Sequence, residues 1–501
     1  MLDAGLELEP AHQQVIERLQ QRPPFQWREQ DLNFLRQNTT AGPTGIPKKY
    51  AYGSDFPYRD PADVVPMSAV GVAARPSFAK GGFSNVWGSS ILPYRAQDLN
   101  DWPISVSDLK AHYAAVLRMT NLAGQRDDLE DLFPLYTDSP QSMKLSTQAE
   151  SFLADLTTNR EALRQQFIRF GRSRLAVRAQ NADGSEACTY CGMCMYGCPY
   201  ELFYNSAHSL AGLLRSPNFQ YVGGLAVERF EESGTTVRIH ARRLANGNSL
   251  QFQAERIFLA CGVLPTAKIV LTSLDAFEVP RQLLDCQYFL LPLLRYKWTP
   301  GTSEEKLHTL SQVFLEVIDP ALCDETIHLQ LYTYNELYQL SIARMLGPVR
   351  RPLRSLLDRL IGRLLLIQGY LPSSVSPSIS VALVRHNSGS VLQLTPLSNP
   401  KAKAALNGLL RKLSGNRRLL QAVTLKNMIR VGQPGRGFHS GGTFPMRTNP
   451  ASLETDRRGT LSGLRRVHLV DASVFPSIPS TTITLTIMAN AHRIACDALQ
   501  S

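Results

Sequence analysis

A chain of 501 residues, 44% hydrophobic and 19% charged, is composed like an ordinary globular protein of about two to four domains, which excludes disordered and fibrous architectures. Its formal net charge of +11 points to acidic partners or an anionic membrane surface, yet no stretch interleaves basic and aromatic residues as a nucleic-acid reader does. No apolar run reaches the roughly 18 residues of a membrane span, and the opening MLDAGLELEP carries neither the basic nor the apolar region of a signal peptide.

In chain order, residues 10–60 are polar and turn-rich and read as loop, above all TTAGPTGIPKKYAYGSDFPY. SFAKGGFSNVWGSS (77–90) is a glycine loop with an embedded tryptophan. Residues 104–119 have a helical period, with Ser107 as N-cap, and a second helix is expected over about 147–170. YNSAHSLAGLLRS is a short helix. From 219 to 262 the pattern alternates as strands do, with turns at Gly234 and ANGN, ending in the apolar RIFLACG of a buried parallel strand. Cys261 then reads as a small core side chain. A helix follows from about Pro265 to Ser273.

TLSQVFLEVI and TIHLQLYTYN are expected strands, SISVALVRHNSGSVLQLTPL a hairpin, and KAKAALNGLLRKL a helix. Residues 341–371 combine leucines with six arginines and one acid. Read as a helix over 341–366, this segment is substrate-domain surface or a peripheral membrane contact. A short apolar strand at 467–470 and a helix from about Ile483 close the chain.

Four cysteines stand apart. Cys188, Cys191, Cys194 and Cys198, followed by Pro199, have the C-x2-C-x2-C-x3-C-P spacing of a bacterial ferredoxin half-motif. Zinc favours two separated knuckles, so the spacing speaks against it. An iron–sulfur cluster and a structural cysteine knot both stay open. The cysteine before proline serves a second cluster in two-cluster ferredoxins, and no second motif is present. Cys188, Cys191 and Cys194 are therefore the firmer ligands, and Cys198 either completes a 4Fe-4S cluster or leaves a 3Fe-4S site. The other cysteines, Cys261, Cys286, Cys323 and Cys496, are scattered, which is not a secreted disulfide framework. A reducing, cytoplasmic setting is expected, with at most peripheral membrane contact.

Several segments together resemble the glucose–methanol–choline (GMC) oxidoreductases. FHSGGTFPM (438–446) is similar to the family's His-x-x-Gly-Thr-x-x-Met segment, and VDASVFPSIPS to its strand and loop beside the flavin. GGFSNVWGSS and WPIS (102–105) resemble the branch near cholesterol oxidase; RIFLACGVLPTAKIVLTS resembles the returning strand and helix of the FAD domain. MLDAG resembles the end of the second strand. Cysteine-rich inserts at this point occur in some relatives, and certain bacterial sugar dehydrogenases of the family carry an iron–sulfur cluster there. One element departs from the pattern: the Gly-x-Gly-x-x-Gly turn, expected about 20 residues before MLDAG, is not in the sequence. It would lie upstream of Met1 or be supplied by a separate polypeptide; otherwise the chain no longer holds FAD well.

The resemblance implies an α/β fold, α+β overall, with an FAD-binding domain assembled from separated segments and an inserted antiparallel-sheet substrate domain. The first part of the FAD domain is 1–120, and a helical linker with the cysteines is 121–210. Returning strands occupy 211–274, the substrate domain 275–430, and the C-terminal FAD segment 431–501. It also implies roles: His439 as base, Thr482 as the hydroxyl opposite it, Asp3 at the adenosine ribose, Val227 at adenine. Gly81, Gly82, Ser84, Asn85 and Trp87 would lie along FAD, with Asp471, Ala472 and Ile483 beside it. Thr482 also reads as an N-cap for the final helix.

The expected activity is FAD-dependent oxidation of a CH–OH group in an alcohol, sugar or sterol-like substrate. Electrons would leave through the iron–sulfur cluster to a protein or quinone acceptor. Two alternatives remain: a catalytically weak iron–sulfur or structural subunit that needs a partner chain, and an oxygen-using alcohol oxidase.

Overall fold

The computed structural model describes residues 1–37, 46, 48–60, 64–337, 354–386 and 389–499. Two hydrophobic cores organise them. The smaller lies under a twisted antiparallel sheet whose order is Ala422–Thr424, Gln287–Arg295, Leu364–Leu371, Ile327–Tyr332, Val313–Val317, Ile168–Arg172. The helices Thr147–Thr158 and Pro400–Gly415 cover one face, burying Phe152, Leu156, Leu409 and Leu413 against Leu291, Leu315, Leu329 and Ile367.

The alternation of these strands decides what the other face carries. Where Ile327, Leu329 and Leu331 point into this core, His328, Gln330 and Tyr332 point the opposite way; Val313, Leu315 and Val317 likewise leave Phe314 and Glu316 on the far side. The second face is buried as well, so its polar groups must find partners within the protein.

The larger core joins a second sheet, in the order Met67–Ala69, Gly389–Leu397, Ser378–His386, Arg281–Asp285, Ser440–Gly441, to the helices Val106–Thr120, Val263–Ser273 and Thr484–Leu499. An antiparallel three-strand layer, Leu225–Ser233, Thr236–Arg243 and Ser249–Ala254, packs on the Val263–Ser273 helix. Val467–Leu469 and Ile257–Leu259 form a parallel pair, and Leu2 bridges Val222 in parallel. The architecture is the mixed α/β two-domain arrangement expected, with its segments drawn from separated stretches of chain.

Several local expectations are corrected. Residues 10–60 contain two helices, Pro10–Gln20 and Glu29–Leu35, because Val15, Ile16 and Leu19 recur at helical spacing and bury one face. Ser105, not Ser107, caps the Val106–Thr120 helix, in a capping box with Asp108. The helix expected over 147–170 is two, Thr147–Thr158 and Arg160–Gln165; Ile168–Arg172 is an edge strand on Val313–Val317, so the sheet recruits a strand from outside 275–430. Most of the basic stretch, 338–353, lies outside the described residues; its remainder is the helix Arg354–Ile361, and Leu364–Leu371 is a central strand.

Cys261 is exposed at a bend rather than buried in a strand, and Phe258 is 39% exposed. Among the described residues, the Ile257–Leu259 strand is paired along one edge only, which leaves those side chains uncovered. No described helix is long and apolar enough to cross a membrane.

Candidate active site

His439 sits where the two cores meet. Its loop is held from below by Asp285, the last residue of its strand, whose carboxylate accepts hydrogen bonds from the Ser440 hydroxyl (2.6 Å) and the Gly435 N–H (2.7 Å). From above, the Gly442 and Phe444 N–H groups donate to Ala472 and Ser473 carbonyls. Gly441 passes so close to the 472–474 turn that a Cβ there would lie 2.3 Å from the Ala472 carbonyl oxygen. The imidazole stacks on Tyr370 at 4.3 Å and 13°, and His328 lies nearly parallel to the same tyrosine at 6.4 Å and 19°.

His439 Nδ1 is buried and has no hydrogen-bond partner. Burial, with His328 as a second cause, pushes its pKa down to about 3, so the ring is neutral with a lone pair available.

Behind Tyr370 runs a buried polar chain. Glu316 meets His328 Nδ1 at 2.6 Å with both side chains fully buried; Gln330 Nε2 lies 3.1 Å from His328 Nε2; Tyr332 donates to Gln330 Oε1 at 3.2 Å. The His328 N–H donates to Ser480 Oγ (3.1 Å), tying the sheet to the loop before the final helix. Burial raises the Glu316 carboxyl, opposed by His328. The family motifs do not reveal this constellation. Its signal is the lone acid in the apolar segment VFLEV and the polar residue at every second position of IHLQLY.

The other expected residues fall into groups. Gly82 borders open space, whereas a Cβ on Gly81 would meet Asn205 Oδ1 at 2.4 Å. Ser84 donates to the Gly81 carbonyl (2.5 Å) and Asn205 Oδ1 (3.0 Å), Asn85 donates to Gly82 and Lys80 carbonyls, and the Trp87 indole donates to the Tyr204 carbonyl (2.9 Å). These side chains brace the loop against 204–206.

Thr482 is buried, but its oxygen accepts the Leu92 N–H at 2.6 Å, and the final helix begins at Thr484; it anchors chain to chain rather than capping. The Asp471 carboxylate is filled by the Gly262 N–H, the Thr266 hydroxyl and the Ser473 N–H. It positions the Val263–Ser273 helix. Ala472 and Ile483 are buried beside it. Asp3 accepts from the Tyr221 hydroxyl at 3.0 Å and is held above its ordinary pKa by burial. Val227 is half-buried at a bulge in its strand.

On the ring side, the residues fit a flavin. The hydroxyls of Thr443, Ser473 and Thr481 and the His439 Nδ1 are buried without partners, with Thr481 three residues before a 16-residue helix. Space outside Gly82 and Gly262 is open. Unpaired buried polar groups at the positive end of a helix dipole suit a polar ring that gains negative charge. On the phosphate side, no glycine-rich turn adjoins Asp3 among the described residues.

Cys188, Cys191, Cys194 and Cys198 line one small cavity with Met143, Val177 and Phe203. Gly197 has φ +140°, and a Cβ there would strike the Tyr52 ring at 2.4 Å. The Thr309 N–H donates to Cys194 Sγ at 3.3 Å. Burial pushes the thiols up, Cys188 to about 12 and Cys191 to about 11, so thiolates here need a cation. No three of these sulfurs lie within 4.8 Å of one another, whereas four thiolates on one zinc at 2.3 Å would be about 3.8 Å apart. A 4Fe-4S or 3Fe-4S core would need the thiols to move outward from so small a cavity. Lys49, half-buried and with its pKa lowered by desolvation to about 8, donates to the Trp87 carbonyl at 2.8 Å and lies near Cys194 and Cys198, linking this cavity to the glycine loop.

Comparison with known proteins agrees with this geometry. Residues 411–491 match the family described as GMC oxidoreductase. No curated protein matches. Among solved structures, pyridoxine 4-oxidase from Mesorbium loti is similar over 100% of this chain and 94% of its own, at 14% identity and TM-score 0.55. Formate oxidase from Aspergillus oryzae RIB40 is similar over 85% and 84%, at 14% identity and TM-score 0.53. At such identity these likenesses speak for the fold.

Proposed function

We propose that this chain, a member of the GMC oxidoreductase superfamily, carries out FAD-dependent oxidation of CH–OH donors with His439 as the residue that takes the hydroxyl proton. The observation that carries the reading is the neutral, half-buried His439 imidazole, its Nδ1 enclosed and its Nε2 open, held in a fixed ring orientation by Tyr370 and, through Ser440, by Asp285.

FAD, when bound, supplies the hydride acceptor. Thr443, Ser473, Thr481 and the N-terminus of the Thr484–Leu499 helix would hold its ring; Asp3 and Val227 would lie toward its adenosine. His439 accepts the hydroxyl proton at Nε2, the ring nitrogen that the protein does not enclose. A base with a pKa near 3 does not store that proton, so proton transfer accompanies departure of the hydride instead of preceding it. Tyr370 excludes water from one face of the imidazole, and the Glu316–His328 pair fixes the floor behind it. The substrate is a small alcohol, sugar or sterol-like molecule whose hydroxyl reaches Nε2 of His439.

A second reading concerns where the electrons go. The names of the two structural neighbours, both oxidases, favour molecular oxygen. The four thiols around one cavity, joined to the glycine loop by Lys49 and Trp87, favour a 4Fe-4S or 3Fe-4S relay to a protein or quinone. The retained His439 pocket disfavours a purely structural subunit.

The test is anaerobic mixing of the FAD-loaded chain with a panel of alcohols and sugars, following bleaching of the oxidised flavin. Bleaching by at least one donor, abolished in His439→Gln, supports the reading; a flavin that no CH–OH donor reduces overturns it. Admitting oxygen afterwards and assaying peroxide separates the two acceptors.

A further inference from the structure

Far from the flavin end of the Thr484–Leu499 helix, one surface cluster has no part in the chemistry above. His492 and Cys496 are four residues apart on that helix and share a face. His112, on the adjoining Val106–Thr120 helix, turns its ring toward them: His112 Nδ1 and His492 Nδ1 are 2.7 Å apart, and Cys496 Sγ is 3.7 Å from His492 Nδ1. One ligand atom from each of the three lies within 4.8 Å of the others, and no other His, Cys, Asp or Glu group among the described residues does so. The two helices pack tightly here, with the Tyr113 hydroxyl 3.0 Å from Thr486 Oγ1, six residues before His492.

We infer that His112, His492 and Cys496 form a divalent-metal site for a borderline-soft ion of the zinc class, clamping the two helices together. The ligand set is two imidazoles and a thiolate, which selects Zn²⁺ or a similar ion over Mg²⁺ or Ca²⁺. Tetrahedral bonds to nitrogen and sulfur place such atoms about 3.6 Å apart, close to the 3.7 Å found for Cys496 and His492. Two nitrogens on one zinc sit about 3.3 Å apart, so the His112 ring swings outward by about 0.6 Å, a small rotation for a half-exposed side chain. The three residues leave the fourth position to water. On binding, the ion replaces the proton shared between the two Nδ1 atoms, the ring that gave it up takes a proton at its own Nε2 so that both imidazoles stay neutral, and the thiol proton alone leaves to solvent.

The competing account is a neutral imidazole pair sharing one hydrogen bond, with Cys496 a bystander. Titration of the FAD-loaded chain with Co²⁺ distinguishes them, because a cobalt–thiolate bond adds a charge-transfer band to the d–d absorption of a four-coordinate ion. Wild type is compared with Cys496→Ser, His492→Ala and His112→Ala, so that cobalt at the four clustered cysteines cancels in the difference. The expected result is loss of one equivalent of cobalt, or at least a ~10-fold weaker affinity for it, in each variant, with the charge-transfer difference absent in Cys496→Ser. A Zn²⁺-dependent rise in melting temperature in wild type, absent in the variants, is the matching readout on stability. Identical stoichiometry and spectra in wild type and variants overturn the site. Loss in the histidine variants but not in Cys496→Ser overturns the thiolate ligand and with it the assignment.

Discussion

The Ser440 hydroxyl donates to Asp285 Oδ1 at 2.6 Å, and through that one bond a buried carboxyl positions the residue next to it, His439. Burial pushes the Asp285 carboxyl, ordinarily near 3.8, up to about 7. Between those values the folded protein keeps a proton that the unfolded chain has released. This contribution is therefore complete below about pH 4, falls as pH rises, and levels off above about pH 7. Asp285→Asn lacks that slope and also turns one acceptor into a donor facing an N–H or a hydroxyl, at a cost of about 1–3 kcal/mol. Urea unfolding of both proteins at pH 5 and pH 8 should show the larger gap at pH 5; equal gaps would mean that the carboxyl titrates in its ordinary range.

His439→Gln preserves the volume beside Tyr370 but removes the base. Turnover should fall by about 10²–10⁴-fold, with the flavin spectrum and KM little changed. Because burial holds the wild-type ring near 3, kcat/KM should show no acid limb from His439 between pH 5 and 8. Steady-state profiles check both statements, and a limb near pH 6.5 would show that the ring is solvated in the working enzyme.

Gly441→Ala places a methyl 2.3 Å from the Ala472 carbonyl oxygen and 2.9 Å from Ile478 Cδ1, against backbone that cannot retreat without moving the turn. A loss of about 1–3 kcal/mol is expected, accompanied by weaker flavin retention. Thermal unfolding with and without added FAD measures it, and an unchanged melting temperature would mean that the turn is not rigid.

Cys194 is the most deeply buried of the four clustered cysteines and accepts the Thr309 N–H. Cys194→Ser should abolish bound iron and acid-labile sulfide in anaerobically prepared protein while leaving reduction of the flavin by substrate intact. Iron content equal to wild type would remove Cys194 from the ligand set; no iron in either protein would leave the thiols a structural knot.

What the sequence made legible follows from the range of the interactions. The hairpin at Ser378–Leu397, the Pro400–Gly415 helix and the Val467–Leu469 strand rest on local periodicity and were anticipated nearly to the residue. His439 was legible because a short contiguous motif surrounds it. Glu316, His328 and Gln330 were not, since their convergence depends on the register of two paired strands, with Glu316 opposite His328, 12 residues away. The same applies to Thr482, whose partner Leu92 is 390 positions away. Pro10–Gln20 was missed for a different reason. Its apolar face is only three residues wide, and polar composition hid it.

The clamp between the cysteine loop and the glycine loop has a thermodynamic consequence. Asn205 donates to Asn85 and accepts from Ser84, and Lys49 spans from Trp87 toward Cys194, so residues 204–206 cannot settle at one site without settling at the other. On the proposed reading, the two loadings would be linked equilibria. Whatever factor an occupant of the thiol cavity gave to flavin affinity, flavin would return to the cavity's affinity for that occupant, whichever came first.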